Sequence, residues 1–504
     1  MQTPLTPATA NDRAASRRIR ERRRLSSAAW RKGTVRFAVS VLLLIAVFCL
    51  ATFLFDPLQF YRQATWYPPI FSTQERYQNP GLARNYDYDT IILGTSMTEN
   101  FLPSVVDKAL HGKTLKLSME GSMAEEQYKI ADLALRTGKP KQVLWGLDYF
   151  AFKHQDPATA ADFPDYLYDD DWTNDYRYLM NVSVYEMLAK DVLKMNTTRT
   201  NQDLEHLYNW NASGGFGAAK VLAAYSRAGE EEKYFGLNED PLDQIRQSFE
   251  TNVLSLVKRY PDVQFLFFYP PYSILRQDVW KKTNETRYRN QLEMSGWMYR
   301  QLAALPNAKV YDFQAESDWT YDLDLYKDLS HYAQDVNTGI AEAIGRDDPK
   351  YRMTDENADS FADKLEEQLQ RFVITPDDQV LDADIELADG GNKRELSFSA
   401  VSGVSGADEL LVPAKEFAAA VGASLSWQES ARTLTLTLGG RKLAMTPDES
   451  AAVANGRSVT LDAAPKLVSG STRIPLRSVA ESLGLAAEAT RPDKHTLKLT
   501  VSLR

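Results

Sequence analysis

The sequence predicts an α/β domain with a parallel sheet, preceded by one membrane-spanning helix and followed by a small β-rich α+β domain. Three observations lead to this prediction. An uncharged run, Phe37 to Phe55, lies near the N-terminus; short apolar runs alternate with amphipathic stretches through the middle; and a repeated pattern fills the C-terminal part. A chain of 504 residues with 44% hydrophobic residues is long enough for several packed domains.

The N-terminal run is the first element. Its 19 residues would span roughly 28 Å as a helix, which is close to the thickness of a bilayer core. Residues 1–36 carry a net charge of +8, and positive flanks stay in the cytoplasm. We therefore expect a single-pass protein of the cell membrane with an extracellular bulk. A cleaved signal peptide is the alternative, but bulky residues, Phe53 to Pro57, follow the run instead of small ones.

The rest of the chain is acidic and poor in cysteine. It carries −18, which argues against binding of nucleic acid. A single cysteine, Cys49, excludes an internal disulfide, and the five histidines are scattered, so no metal site or cofactor is expected. A disulfide-free exported protein suggests a bacterium, and a Gram-positive one in particular.

Residues 56–346 show the alternation of an α/β domain. Strands are predicted at Thr90–Leu93, Thr114–Leu117, Gln142–Leu147, Val263–Tyr269 and Lys309–Phe313, with helices at about Met123–Thr137, Gln244–Tyr260 and Asn284–Leu305. Alternating strands and helices indicate a parallel sheet covered on both faces, and so a three-layer arrangement. Five strands suit a flavodoxin-like order, in which sites lie at the carboxyl ends of the strands.

An insertion at about 150–242 interrupts the alternation. It contains Phe163-Pro-Asp-Tyr-Leu-Tyr-Asp-Asp-Asp-Trp172. Aromatic rings stack on sugar faces and carboxylates accept hydroxyl groups, so this stretch is a candidate lining for a glycan groove. The alternative is a capping subdomain with ordinary interface aromatics.

The C-terminal part repeats itself after a helix and linker at 347–405. Pro413 and Gly422 recur as Pro475 and Gly484, both 62 residues later, and each copy predicts a short helix ended by glycine and then a hairpin. In this pattern residues 406–504 resemble the copper amine oxidase N-terminal-like domain. The name implies no copper here, because His495 is the only histidine in the stretch. The resemblance implies a role in attachment to a cell wall or a partner.

Two short motifs bracket the α/β domain. Gly94-Thr-Ser96 follows the first predicted strand, where a helix N-terminus would favour an oxyanion, and Asp328-Leu-Ser-His331 follows the fifth. Such an arrangement can set an imidazole against the serine while the aspartate fixes the tautomer. The alternative for Ser96 is a helix N-cap.

Together the two motifs resemble those of the SGNH/GDSL hydrolase superfamily, over residues about 86–345. The resemblance implies that Ser96 is the nucleophile, His331 the general base and Asp328 its orienting acid. The layout is also similar to that of membrane-anchored relatives in exopolysaccharide O-acetylation and in D-alanylation of teichoic acid, the DltD-type proteins.

The oxyanion donors of this superfamily have candidate positions as well. Gly121 in Ser118-Met-Glu-Gly-Ser122 matches the glycine donor. Asp148 stands where the superfamily has asparagine, and an ionised carboxylate would repel an oxyanion. Asn100 is a candidate substitute donor. A weaker alternative groups Glu99 and Glu120 with Asp148 as an acidic metal site.

These observations predict a serine esterase or O-acyltransferase, without a cofactor, that acts on a cell-surface or exported polysaccharide such as a teichoic-acid-like polymer. The alternative is a catalytically inactive scaffold that binds cell-wall polymer or a membrane O-acyltransferase partner. The expected divisions are a basic tail (1–36), a transmembrane helix (37–55), the hydrolase-like domain (56–346), a helix and linker (347–405) and the repeat domain (406–504).

Overall fold

A computed structural model describes residues 10–67, 71–153, 162–195, 203–231, 239–468 and 470–503. Parts of the predicted cytoplasmic tail and of the 150–242 insertion therefore lie outside the described residues. Two compact units emerge. The first unit comprises Met1–Tyr86 and Asp162–Gln202, and the second comprises Asp87–Ala161 and Asp203–Arg504.

The helices are, in chain order, α1 (Ala10–Phe55), α2 (Glu75–Asn85), α3 (Pro103–Leu110), α4 (Ala124–Arg136), α5 (Tyr176–Leu179), α6 (Val182–Met195), α7 (Ala218–Glu231), α8 (Leu242–Phe249), α9 (Ser255–Arg259), α10 (Ile274–Thr283), α11 (Glu285–Ala303), α12 (Ser317–Thr320), α13 (Gln334–Gly345), α14 (Ala358–Arg371), α15 (Ala414–Val421) and α16 (Leu476–Ser482). A π-helical turn, Glu250–Leu254, joins α8 to α9, so the three segments form the continuous helix that was predicted at about 244–260.

The strands are, in chain order, β1 (Thr90–Leu93), β2 (Thr114–Lys116), β3 (Gln142–Gly146), β4 (Gln264–Tyr269), β5 (Ala308–Asp312), β6 (Phe372–Ile374), β7 (Val380–Asp389), β8 (Asn392–Glu395), β9 (Ser402–Gly403), β10 (Leu410–Pro413), β11 (Ser424–Gln428), β12 (Thr433–Leu438), β13 (Arg441–Met445), β14 (Ala451–Ala454), β15 (Arg457–Thr460), β16 (Lys466–Val468), β17 (Ser471–Pro475), β18 (Ala486–Thr490) and β19 (Thr496–Leu503).

The first unit is built on α1. Its segment Ala29–Phe55 is long and apolar enough to cross a membrane, and most of it is exposed. The helix ends at Phe55 because Asp56 adopts a left-handed backbone, with φ of 48°. The Asp56 carboxylate then accepts hydrogen bonds from the N–H groups of Phe60, Tyr61 and Arg62, so that the turn after the helix is fixed.

The second unit begins with a five-stranded parallel sheet in the order β2-β1-β3-β4-β5. Every residue of β1 is buried, as is expected where helices cover both faces of a sheet. The five predicted strands are confirmed to within one residue at either end. The carboxyl ends of β1, β3 and β4 meet at one edge, which is where Ser96 and Asp148 follow their strands.

The C-terminal part of the second unit is β-rich. In both repeats a glycine with positive φ, Gly422 or Gly484, follows the short helix, and the antiparallel pairs β11–β12 and β18–β19 come next. The repeats also meet directly, because β10 pairs with β17 across Leu411 and Pro475. One continuous apolar core, which includes Phe417, lies beneath these sheets.

The region 347–405 differs from the expected helix and linker. Helix α14 forms as predicted, but β6, β7 and β8 follow it, and β7 pairs in parallel with β19 over eight residues. The sequence of β7 alternates apolar and acidic residues. Its acidic residues made this strand resemble a solvated linker in the sequence. Lys498 of β19 forms ion pairs with two of those acidic residues, Asp384 and Glu386, and thereby offsets their repulsion.

Candidate active site

Ser96 lies in a sharp turn at the carboxyl end of β1. Gly94 has φ of 140°, and a Cβ atom there would lie 2.7 Å from the Cγ2 of Thr98, so the turn requires glycine. The sequence predicted a helix N-terminus at Ser96, and the structure has a single 3₁₀ turn there, Ser96–Thr98. Thr95 is its N-cap and accepts from the N–H of Met97, which leaves the Ser96 hydroxyl free of the capping role.

The Asp-x-x-His motif forms a tight loop between the 3₁₀ turn Leu323–Leu325 and α13. Asp328 Oδ1 accepts the backbone N–H groups of Ser330, at 2.8 Å, and His331, at 2.9 Å. The N–H of Lys327 donates to the carbonyl of His331 across the loop. These bonds fix the carboxylate and the imidazole side by side.

Three side chains form one hydrogen-bonded chain. Ser96 Oγ lies 2.9 Å from His331 Nε2, and His331 Nδ1 lies 2.8 Å from Asp328 Oδ2. Ser96 is 9% exposed, whereas the His331 side chain is 28% exposed, so the pair is sheltered yet reachable from solvent. The structure thus brings together Ser96, Asp328 and His331 in the order that nucleophilic catalysis requires.

The electrostatics of Asp328 favour this arrangement. Burial raises the pKa of its carboxyl, but hydrogen bonds from the His331 ring and from two backbone N–H groups outweigh burial and hold the pKa well below its usual value. The carboxylate is therefore ionised at neutral pH. An ionised acceptor beside Nδ1 retains the proton there, so that Nε2 is free to accept the Ser96 proton.

Asp148 follows β3 and is buried, but its carboxylate is an acceptor. Thr95 Oγ1 donates to Oδ2 at 2.5 Å, and the Tyr272 hydroxyl donates to Oδ1. Burial raises the pKa of Asp148 despite these bonds, and burial with the nearby Asp148 raises the pKa of Tyr272 well above its usual value. Both oxygens are occupied, so Asp148 fixes the Ser96 turn through Thr95 and offers no side-chain donor to an oxyanion.

The two other candidate donors lie in different surroundings. Gly121 is exposed in the loop after β2, and the loop is tied to the Ser96 turn because the N–H of Met119 donates to the carbonyl of Gly94. Asn100 is buried, and its side chain bonds to backbone: Oδ1 accepts from the N–H of Trp210, and Nδ2 donates to the carbonyl of Tyr332. Asn100 therefore holds the loops together.

Trp210 is a site residue that the sequence analysis missed. Its indole N–H donates to the Ser96 carbonyl at 3.3 Å, and its ring meets the His331 ring edge to face at 5.7 Å. The ammonium group of Lys327 lies 3.8 Å from the centre of the same indole ring. Trp210 lies in the run Asn209-Trp-Asn211 in the second half of the insertion, and no local pattern marks it as a site residue.

That aromatic stretch belongs to the first unit. Phe163, Tyr166 and Tyr168 are buried there, and only Trp172 exposes most of its ring. This packing favours ordinary core and interface aromatics over a glycan groove. The acidic metal alternative also finds no geometric basis, since in the described ranges no three or more His, Cys, Asp or Glu side chains are grouped so as to hold a metal ion.

Comparison with known proteins places one part of the chain. Residues 391–496 match the family model of the copper amine oxidase N-terminal domain. This match confirms the resemblance predicted for the C-terminal part and extends it upstream of residue 406. No curated protein matches the chain.

Proposed function

We propose that this protein is a membrane-anchored serine esterase or O-acyltransferase that acts on a cell-surface or exported polysaccharide. The single observation that carries the proposal is the chain of contacts from Ser96 through His331 to Asp328, with distances of 2.9 Å and 2.8 Å. Residues separated by 235 positions meet with the geometry of a nucleophile and its base.

The chemistry follows from that geometry. Ser96 Oγ attacks the acyl carbonyl carbon while its proton passes to His331 Nε2, and Asp328 stabilises the resulting imidazolium. The alcohol leaving group takes that proton, and an acyl ester remains on Ser96. Water or a sugar hydroxyl then attacks the ester carbonyl carbon and passes its proton to His331. The bond from that carbon to Ser96 Oγ breaks, and Ser96 Oγ takes the proton back from His331. The N–H groups of Ser96 and Gly121 are the proposed oxyanion donors.

The architecture supports the SGNH-hydrolase-like assignment. The order β2-β1-β3-β4-β5 is that of a flavodoxin-like sheet, in which binding sites lie beyond the carboxyl ends of the strands. Ser96 follows β1 at that edge, and Asp148 follows β3 beside it. The resemblance to the superfamily, drawn from Gly-Thr-Ser and Asp-x-x-His, assigns the same residues.

The N-terminal helix serves in this proposal as a permanent anchor with the N-terminus in the cytoplasm. Thr52 lies in the last turn of α1, and Asp56 directly follows it; both are buried. Cleavage of the chain before Asp56 would remove α1, including Thr52, and would expose Asp56. The basic residues ahead of Phe37 orient the anchor.

A second candidate function has its own observation. Asp148 accepts two hydroxyls and Asn100 is engaged with backbone, so neither supplies a side-chain oxyanion donor. Loss of one such donor typically lowers a rate by about 10²–10³. An inactive scaffold that binds cell-wall polymer or a membrane O-acyltransferase would tolerate that loss.

Labelling with a serine-reactive fluorophosphonate separates the two candidates. The purified full chain in detergent is treated with the probe and assayed with a chromogenic acetyl ester. If the protein is the proposed enzyme, we expect labelling that disappears in Ser96→Ala and persists in Ser104→Ala. Ser104 is an exposed serine at the start of α3. A folded preparation in which Ser96 takes up no label and no ester is cleaved supports the scaffold.

A further inference from the structure

Arg287 is a buried arginine in the first turn of α11. Its side chain is 5% exposed, and the guanidinium group lies over the Trp280 ring, 3.8 Å from the ring centre, and over the Tyr149 ring at 5.5 Å. Burial lowers the pKa of Arg287 to about 10, so the group is still protonated at neutral pH. A buried charge is costly unless an opposite charge and hydrogen bonds stabilise it, so the partners of this group decide its role.

The guanidinium group of Arg287 has donors that its neighbours do not use. Stacking engages the faces of the group, whereas its N–H bonds point outward in its plane. Nη1 donates to Gln291 Oε1 at 3.0 Å, but Nε and Nη2 donate to no residue in the described ranges. The field of Glu239 reaches Arg287, but that carboxylate forms its ion pair with Lys153, at 2.8 Å. Among the described residues, Arg287 therefore has no ion-pair partner of its own.

Arg287 lies at the same edge of the parallel sheet as the proposed nucleophile. Tyr149, which it covers, follows β3, and Tyr272 follows β4, at the carboxyl ends of these neighbouring strands. The Tyr272 ring meets the Trp280 ring at 4.9 Å, and its hydroxyl donates to Asp148, which fixes the serine turn. Binding sites of such sheets lie at this edge, so Arg287 is placed beside the candidate active site.

A second guanidinium group adds positive charge at the same place. Arg276 lies 5.1 Å from the centre of the Trp280 ring, and its Nε donates to Ser330 Oγ at 2.9 Å, one residue before His331. Its charge is close enough to lower the pKa of Arg287 further. Two guanidinium groups on one ring repel each other, and a bound anion would offset this repulsion. The chain beyond residue 36 carries −18, so the positive charge here is local.

From this geometry we infer that Arg287 binds an oxyanion of the polysaccharide, a carboxylate or a phosphodiester group, near the acyl ester that reaches Ser96. The edge formed by Nε and Nη2 matches the two oxygens of such a group, and Arg276 adds attraction at longer range. Gln291 holds the guanidinium group in place, since two further glutamine side chains accept from its amide nitrogen. The inference rests on the proposed function, which supplies a polysaccharide substrate at Ser96.

Binding of labelled polymers to the full chain in detergent tests this site. The probes are fluorescein-labelled poly(glycerol phosphate), which carries phosphodiesters, oligogalacturonate, which carries carboxylates, and dextran, which is neutral. Fluorescence anisotropy at one fixed ionic strength gives Kd for wild type, Arg287→Met, Arg287→Lys and Arg289→Met. Arg289 is the matched control, because it lies in the same helix, is exposed and forms an ion pair with Glu285. Arg287→Lys keeps a cation but loses the planar pair of donors.

We expect at least one anionic polymer to bind and dextran not to bind. For that polymer Kd should rise about tenfold to hundredfold in Arg287→Met, rise less in Arg287→Lys and stay unchanged in Arg289→Met. The polymer that shows this dependence identifies the oxyanion as phosphodiester or carboxylate. Thermal unfolding checks the fold, and the comparison rests on Arg287→Lys where Arg287→Met does not fold. Equal Kd values in wild type and the folded Arg287 variants, or no binding of either anionic polymer to wild type, would overturn the inference.

Fluorophosphonate labelling of Ser96 distinguishes this failure from failure of the proposed function. Labelling of Ser96 without binding that depends on Arg287 keeps the enzyme and removes the anion site. Binding that depends on Arg287 without labelling of Ser96 keeps the anion site and assigns it to the polymer-binding scaffold.

Discussion

Replacement of Asp328 by asparagine tests the orientation of His331. Asp328 Oδ1 accepts two backbone N–H groups, at 2.8 and 2.9 Å, so the amide oxygen of asparagine will remain on that side. The amide NH₂ then occupies the place of Oδ2, 2.8 Å from His331 Nδ1, where it donates and requires an unprotonated nitrogen. The imidazole proton moves to Nε2, which can no longer accept the Ser96 proton.

We expect the rate of ester cleavage, and that of fluorophosphonate labelling, to fall by about 10⁴, or about 5 kcal/mol in activation free energy. The fold should persist, because the two backbone bonds are kept, and thermal unfolding checks this. Asp324→Asn is the matched control, since Asp324 lies in the preceding turn and its carboxylate accepts the N–H of Ala218 at the start of α7. Wild-type rates in a folded Asp328→Asn variant would refute the proposed role of His331 as base.

Two further predictions concern other parts of the second unit. Trp210→Phe keeps a ring against His331 but removes the hydrogen bond from the indole N–H to the Ser96 carbonyl. We therefore expect kcat/KM to fall by roughly threefold to tenfold in Trp210→Phe and further in Trp210→Ala. Equal kcat/KM values in wild type and both variants would contradict a role for the indole. Asp312 is buried, and burial, opposed by bonds from Gln314, raises its pKa from 3.8 to about 6. A raised folded-state pKa contributes stability that is complete below the unfolded value and is lost as pH rises through 6. Wild type should therefore lose about 3 kcal/mol in all, of which about 1.4 kcal/mol is lost between pH 5 and pH 8, and Asp312→Asn should not show this loss. Thermal unfolding of both proteins at pH 5 and pH 8 measures this, and an unchanged difference between them would show that Asp312 is not the responsible group.

Much of the fold could be predicted because the local spacing of apolar residues along the chain indicates strands and helices. The central strands β1, β3 and β4 of the parallel sheet are largely buried, so each appears as a nearly continuous apolar run, and α4 and α11 show helical spacing. Strand β7 was missed for the converse reason. Its acidic alternate positions resemble a solvated linker until Lys498 of a distant strand is placed against them.

The candidate site was predicted in part. Ser96, Asp328 and His331 were named from two motifs, and the structure brings them into contact, whereas their catalytic roles stay a prediction. Trp210 could not be named, because no local pattern distinguishes a tryptophan that covers Ser96 from one that packs elsewhere. The partners of Asp148 were equally hidden, since Thr95 and Tyr272 follow different strands.

The sequence alone determined the elements whose stability depends on composition over a short stretch: the apolar helix ending at Phe55, the buried strands and the glycine-ended helices of the C-terminal repeats. Only the tertiary structure decided which side chains meet. Ser96 and His331 are 235 positions apart in the chain, so a hydrogen bond between them depends on the path of the chain between the two residues, and packing of the whole sheet sets where that path leads. Packing also turned Asp148 toward two hydroxyls, and thereby made a residue that seemed an unsuitable oxyanion donor into a support for the serine turn.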